Sequence, residues 1–560
     1  TARCSSRDPS SGQGKRVSLG CGVADRAADQ SLDLSHAGEI GVRPPEFPPW
    51  RESREPEHVA RAGARRPVRA TSIATRRSAH DADDVSAERR PPLTFTEAEL
   101  IVITPPDAEV ALSNPAPGAV LAVRDDRMEI YDAAVRPPNV DNGATRLAGA
   151  FPLIGAFLAC AAVFSRTTEE PADVILRAIL LLQLGYTALL SVLWLRYRPF
   201  TAPEGAELPR LTVIIPAFNE GPMVENSIRS AALSDYPRER LEIIVVDDGS
   251  RDDTFFHMRH LRREFPNLVR LVRFAGNRGK RAALCEAIRV ATGEIVVTID
   301  SDSEVTRETL REMVAPFLAD ARVGAVAGRV AVLNRDTFIS RMLEVQYALA
   351  FDFGRAAQSV YRAVACCPGA LSAFRRHIVL PHLDEWANQT FLGRPVNHGE
   401  DQALTNIVLR AGYDTVYQRR AIVNTLAPTT YRQLTRMFLR WDRSYIVEGF
   451  AFAKFMLSRY REKNRVLPVV SFVVSSLRVV SLAAFILVLP AFGAPQFSEL
   501  LRGGLALFVA ALFSALYYLR IERSFRFLYG VAYAVYSAVA LQWILPWAVL
   551  TVRDERWGTR

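Results

Sequence analysis

Five stretches of this chain are almost free of charge, and they bracket one long polar region. Residues 147–165, 174–195, 466–492, 501–519 and 525–551 are apolar over about the 20 residues a helix needs to cross hydrocarbon. Residues 208–445 between them have the composition of a soluble domain. Such a chain cannot fold around one core; it is expected to carry a soluble domain inserted between membrane helices. The link RTTEEPAD (166–173) is acidic and the following RYR (196–198) is basic, which places residue 196 onward in the cytoplasm by the positive-inside rule. Arg177 can snorkel from the end of its stretch. Arg478 sits mid-span, as a functional group or as the partner of a neighbouring helix. Two spans before the domain and three after it put the C-terminus outside, whereas the basic tail 552–560 prefers the inside. One of 466–492 and 525–551 is therefore expected to be interfacial or broken in two.

Residues 1–140 are rich in Arg, Ser, Ala, Asp and Pro and lack periodicity, so they bury too little apolar area to fold alone. Their first methionine is Met128. They are expected to be a disordered cytosolic extension, or sequence upstream of the true start. The net charge of +9 admits nucleic acid or an anionic membrane surface as partner. No nucleic-acid motif accompanies it, so the lipid bilayer is expected and nucleic acid is not. The six cysteines have neither zinc nor C-x-x-C spacing, which fits a reducing compartment.

Inside 208–445, short β-rich runs (LTVIIP, EIIVVDD, LVRLVRF, EIVVTID) alternate with helical stretches such as 221–234 and 279–292. This pattern predicts an α/β domain with a mainly parallel sheet. Ligands of such sheets bind beyond the carboxyl ends of the strands. Three runs end there in acids or amides: VIIPAFNEG (213–221), IIVVDDGSRDDT (243–254) and IVVTIDSDSEV (295–305). A single Asp there reads as a helix cap; three such ends together read as a site. Asp300 and Asp302, at i and i+2, can address one Mg²⁺ or Mn²⁺ ion shared with phosphates. No P-loop lysine motif is present, so a sugar nucleotide fits better than a nucleotide hydrolysed for energy. Residues 431–460 mix basic and large apolar residues at helical spacing, as a helix lying at the membrane surface does, although a core helix has the same pattern.

From VIIPAFNEG through RWDRSYIVEG the chain resembles family 2 inverting glycosyltransferases of GT-A (Rossmann-like) fold. QYALAFDFGRAAQSVYRAVACCPGALSAFRR (346–376), HGEDQALTNIVLRAGYDTVY (398–417), LRWDRSY (439–445) and the terminal RWGTR resemble hyaluronan synthases and nodulation-type chitooligosaccharide synthases. The resemblance covers about residues 147–560. It implies a UDP-sugar donor, a growing polysaccharide or oligosaccharide acceptor, and an inner-membrane protein with a cytoplasmic catalytic domain at 208–430. It implies Asp302 as metal ligand, with Asp300 at the metal or the ribose. It places Asp247 and Asp248 at the uridine, with Pro216, Asn219 and Glu220 lining the same end and Lys280 facing the nucleotide. Asp401 is implied as general base, with Glu400 as the alternative; Arg440 would pair with phosphate and Trp441 stack on the acceptor sugar. Relatives usually carry Gln at the first position of Q-x-x-R-W, with other residues in several of them; this chain has Met437.

A non-processive enzyme adding one sugar to a lipid, like ceramide glucosyltransferases, carries a similar R-W stretch and stays open. So does a catalytically inactive membrane scaffold, against which Asp300, Asp302, Asp401 and Arg440 argue.

Overall fold

The computed structural model describes residues 101–102, 171–488, 517–520, 522 and 524–554. The expected extension (apart from 101–102), the apolar stretch 147–165, most of 501–519 and the RWGTR ending lie outside the described residues. The strands are β1 (Ile101–Val102), β2 (Leu211–Ala217), β3 (Leu241–Asp247), β4 (Val269–Arg273), β5 (Ile295–Ile299), β6 (Ser303–Val305), β7 (Val323–Val332), β8 (Leu371–Arg375), β9 (Thr390–Phe391), β10 (Arg394–Pro395) and β11 (Asp414–Thr425). The helices used below are α1 (Pro171–Arg196), α2 (Val224–Ala232), α3 (Thr254–Glu264), α4 (Lys280–Val290), α5 (Thr309–Ala319), α6 (Phe338–Tyr347), α7 (Gly354–Val360), α8 (Glu400–Arg410), α9 (Tyr431–Phe455) and α10 (Val466–Val488).

Nine described strands form one sheet in the order β1-β4-β3-β2-β5-β8-β7-β11-β6, and β9 and β10 form a separate hairpin. β4, β3, β2 and β5 are parallel, and the direction of winding reverses between β2 and β5. That reversal opens a crevice at the strand carboxyl ends, where all three acid-ended runs arrive. The α/β expectation holds, but the sheet is mixed rather than mainly parallel. β8 runs antiparallel to both β5 and β7, and β6 antiparallel to β11. A half-open α/β sheet curled by antiparallel strands is the GT-A-like arrangement.

Alternation along the strands splits the core between two faces. Val213, Ile215, Ile243 and Val245 pack with Ile228, Met258, Leu261 and Phe317 of α2, α3 and α5. Ile214, Ile244 and Val246 pack on the other side with Leu284 and Ile288 of α4, Ala356 of α7 and Leu193 of α1. Each such side chain contributes about 1.5–3 kcal/mol of burial. The helix expected over 279–292 begins at Lys280 because Gly279, at φ +92°, turns the chain into it. α9 is anchored by a capping box between Thr430 and Gln433.

Among the described residues no single helix is long and apolar enough to cross a membrane. Leu181–Arg196 and Val466–Leu477 are shorter apolar helices. Phe525–Leu541 and Ile544–Leu550 qualify together, as a pair bent by 43°. Arg478 lies within α10.

Candidate active site

Three turns meet at the carboxyl end of the sheet. After β2, Asn219 adopts φ +55°. It is held there by its N–H on Ser250 Oγ (3.0 Å) and by Oδ1, which accepts Arg251 N–H (2.9 Å). The N–H groups of Glu220 and Gly221 both reach Thr254 Oγ1 at 2.8 Å. Pro216 is fully within β2, next to this turn. After β3, Asp247 is fully buried; it accepts the Ser250 N–H at 2.9 Å and pairs with Arg273 at 3.0 Å. Its carboxylate thus holds the turn together from inside the protein. Asp248 accepts the N–H groups of Arg278 (2.7 Å) and Gly279 (2.8 Å), so it fastens the third turn, 276–279, to the second. Burial pushes its carboxyl up to about 6, against the two N–H groups that favour its charge. At Gly249, φ +71°, a Cβ would lie 2.4 Å from the carbonyl carbon of Gly276, so only glycine lets these turns cross.

Lys280, the first residue of α4, joins the strand-end turns to the far wall. Its Nζ lies 2.5 Å from Asp300 Oδ1 and 2.9 Å from Glu400 Oε1. Gly369 leaves the ammonium room, since a Cβ there would sit 2.9 Å from Nζ. Burial disfavours the Lys280 charge, but the two carboxylates outweigh it and raise its pKa. Burial likewise opposes the Glu400 charge; the Lys280 ammonium prevails and holds that carboxyl below its usual range. The neighbouring Asp401 goes the other way. Burial and the Glu400 charge push it up, despite Lys280 and the N–H groups of Gln402 and Gly369. Those N–H groups reach it at 2.8 and 3.0 Å, and the Cys366 thiol lies 3.6 Å away. Both carboxylates stand at the start of α8 because Gly399, at φ +71°, ends the incoming loop. Asp302, half-buried, accepts from Ser303 Oγ at 3.3 Å and Thr425 Oγ1 at 3.5 Å.

α9 supplies the remaining wall. Trp441 packs against Phe438 (5.5 Å between ring centroids), Phe351 (5.7 Å) and Tyr347 (6.2 Å). The Arg440 charge acts on both Glu400 and His398. The Met437 thioether accepts the Tyr347 hydroxyl at 3.4 Å, so the departure from glutamine is accommodated by a polarisable acceptor. Ser444 bonds the Arg440 carbonyl and the His398 ring, tying α9 to the loop before Glu400. Sequence reasoning missed Tyr347, Gly369, His398 and Ser444. It also missed a buried relay in which Gln389 and Asn406 both donate to Glu448 on α9 while Arg281 donates to Gln389. All four lie in stretches that carry the family resemblance; the Gln389–Glu448 pairing leaves no local pattern.

The site therefore gathers Asp300, Lys280, Glu400 and Asp401 into one charged cluster, with Asp248 within the strand-end turns and Arg440 on the α9 wall. The family described as Glycosyl transferase family 2 matches residues 212–380, which include the strand-end acids and stop short of Glu400 and Arg440. An N-acetylglucosaminyltransferase of Azorhizobium caulinodans is 32% identical over 364 residues, 63% of this chain and 87% of its own length. A hyaluronan synthase of Streptococcus pyogenes serotype M1 is 28% identical over 412 residues, 71% of this chain and 92% of its own. Among solved structures, a mannosyltransferase from Pyrobaculum calidifontis in complex with GDP-Man and Mn²⁺ is 24% identical. It covers 71% of this chain and 99% of its own, with a TM-score of 0.43.

Proposed function

The chain belongs to glycosyl transferase family 2, and from that premise we propose that it transfers N-acetylglucosamine from its UDP-sugar to the end of a growing β-linked glycan, with inversion. The observation that carries this reading is the Lys280 bridge. It ties strand-end Asp300, on the donor side, to Glu400, the neighbour of Asp401. Relatives named N-acetylglucosaminyltransferase support the choice of sugar.

The nucleotide would lie among the turns at 219–221, 247–250 and 276–279. Asn219, Glu220 and Asp248 shape that end, and Asp247 braces it from inside. Asp302 and Asp300 offer hard carboxylate oxygens at a half-buried strand end, which suits Mg²⁺ or Mn²⁺. Among the described residues no group of three or more His, Cys, Asp or Glu is placed to hold a metal, so substrate phosphates and water would complete its ligands. When bound, the ion neutralises charge on the departing diphosphate.

Asp401 is the general base in this scheme. Glu400 is committed to Lys280, whereas Asp401 has its proton affinity raised by burial and by that neighbouring charge. It takes the proton of the acceptor hydroxyl at its carboxylate as that oxygen attacks the anomeric carbon and the bond to UDP breaks. Gly369 N–H fixes its orientation. Lys280 and Arg440 add positive charge beside the leaving group, and Trp441 with its aromatic neighbours offers the acceptor a stacking surface.

We further propose that the domain sits on the cytoplasmic face of the inner membrane and feeds product into a path between its apolar helices. What supports this is the pairing of α1 with α10 through polar groups, Tyr186 on Ser471 (2.5 Å) and Gln183 on the Val474 carbonyl (3.1 Å). Such pairs join helices in lipid. The bent pair ending at Leu550 suits an interfacial or broken span.

The test is a donor screen on detergent-purified protein with Mn²⁺ or Mg²⁺, following UDP release and product size. A ladder from UDP-N-acetylglucosamine alone supports the proposal. Turnover only with added UDP-glucuronate would make it a hyaluronan-type synthase, and a one-sugar glycolipid would make it non-processive. Asp401→Asn should lose about 10²–10⁴-fold in rate. Inverted vesicles should trap labelled polymer inside; polymer wholly outside sinks the secretion step.

A further inference from the structure

Asp352 is buried to 1% exposure, and the chemistry above does not use it. Three donors converge on its carboxylate. Tyr417 Oη lies 2.8 Å and Arg419 Nε 2.7 Å from Oδ1, and Tyr517 Oη lies 2.5 Å from Oδ2. Tyr417 and Arg419 belong to β11, whereas Tyr517 stands at the end of the apolar stretch 501–519. α1 joins the same cluster. Tyr197, just past its end, donates to the Tyr417 carbonyl at 2.9 Å and accepts the Arg419 N–H at 3.1 Å. Trp194 packs on Tyr517 at 5.5 Å. Residues of two apolar stretches and one sheet strand thus gather around one carboxylate.

The local backbone gives that carboxylate a second reach. Asp352 lies in a π-helical turn, Ala348–Phe353, set between α6 and α7. Turns of this kind are rare and occur frequently at functional sites. The preceding residue, Phe351, packs on Trp441 (5.7 Å) and Tyr347 (4.7 Å), with the Arg355 guanidinium 4.5 Å from its ring centroid. Neighbouring residues of one turn therefore face opposite ways, Asp352 into the tyrosine–arginine cluster and Phe351 into the aromatic surface beside the transfer site. A buried charge is expensive, and an apolar residue would often serve stability as well. Its use here points to placement of the turn.

Taking the glycan acceptor proposed above as given, we propose that Asp352 is a positioning residue. Its cluster sets the turn that places Phe351 against Trp441, and through Tyr517 it couples this acceptor platform to the apolar stretch ending at residue 519.

Tyr517→Phe is the informative variant, because it removes one donor and keeps the ring contacts to Trp194 and Phe353. Initial rates would be measured against chitooligosaccharide acceptor and against UDP-N-acetylglucosamine separately, together with acceptor-independent UDP release. The expected result is an acceptor KM raised about threefold to tenfold, the size of one hydrogen bond, with donor KM and acceptor-independent release unchanged. A fall in kcat with both KM values intact, or no change at all, overturns the proposal. Hydrogen exchange reads the same coupling without turnover. Tyr517→Phe should speed exchange at 348–353 and 438–445, and acceleration confined to the neighbourhood of residue 517 refutes it. If wild-type protein transfers no sugar to a glycan, the functional reading fails, while the exchange result still decides the coupling.

Discussion

Lys280→Met removes the ammonium that joins Asp300 to Glu400, and its effect can be worked from the geometry. Glu400, whose side chain is 9% exposed, would keep its burial and lose its counter-charge at 2.9 Å. At an effective dielectric near 20, two unit charges at that separation attract by about 6 kcal/mol. Part of this offsets desolvation, and breaking one side of a buried pair typically costs about 3–5 kcal/mol. Asp300, 31% exposed, adds little, because water screens it. Taking about 3 kcal/mol, the thermal midpoint of a domain this size should fall by roughly 6–12 °C. The loss should depend on pH. Glu400 is depressed in the folded state, so its stabilisation is complete above its unfolded value and fades as pH falls through its folded one. The gap between wild type and variant should therefore be full at pH 7 and narrow steadily in strong acid. Melting curves from pH 3 to 7.5, in chelator to remove divalent ions, measure this directly. A variant melting within about a degree of wild type at pH 7, or a gap no narrower at pH 3 than at pH 7, would refute the buried bridge. The same variant should move the acid limb of kcat/KM to higher pH, because the Lys280 charge also holds Asp401 down.

Four further outcomes are expected. Burial and the charges of Arg443 and Arg281 hold His398 down at about 4. Its contribution is whole above about pH 6.5 and lost as pH falls toward 4, on the order of 3 kcal/mol; His398→Gln should flatten the melting profile across that window. Gly249→Ala would push against the Gly276 backbone and free the turn that Asp248 fastens. Calorimetry should then show UDP affinity reduced at least about tenfold, beyond the strain of about 1–2 kcal/mol that φ +71° imposes on alanine. Chelation should abolish UDP release by wild-type protein, and added Mn²⁺ or Mg²⁺ should restore it. Asp302→Asn should raise the metal concentration needed for half-maximal rate by more than about tenfold, whereas an unchanged requirement would place the ion elsewhere.

The strands and their chemistry were legible because strand periodicity is local. IVVTIDSDSEV announces both β5 and its acidic end within 11 residues. The α9 helix appeared in the pattern of 431–460, although it stops at Phe455, where the chain turns toward Arg461 and its buried bond to Asp414 (2.6 Å). The mixed direction of the sheet was not legible. β8 reads as an ordinary apolar run, and its antiparallel place between β5 and β7 follows from the path of α6, the π turn and α7.

The sequence by itself determined the α/β domain, the acid-ended strands, the apolar stretches around them and the family. These depend on side chains a few positions apart and on motifs that survive without knowledge of their neighbours. Only the tertiary structure decided that Lys280 meets Glu400, 120 residues away in number, that Met437 receives the Tyr347 hydroxyl, and that Asp352 is shared by β11 and Tyr517. Each of these is a contact between residues whose separation along the chain carries no periodic signal. Their distances are set by strand order and helix packing, and the same sequence spacing under another topology would leave the charges apart.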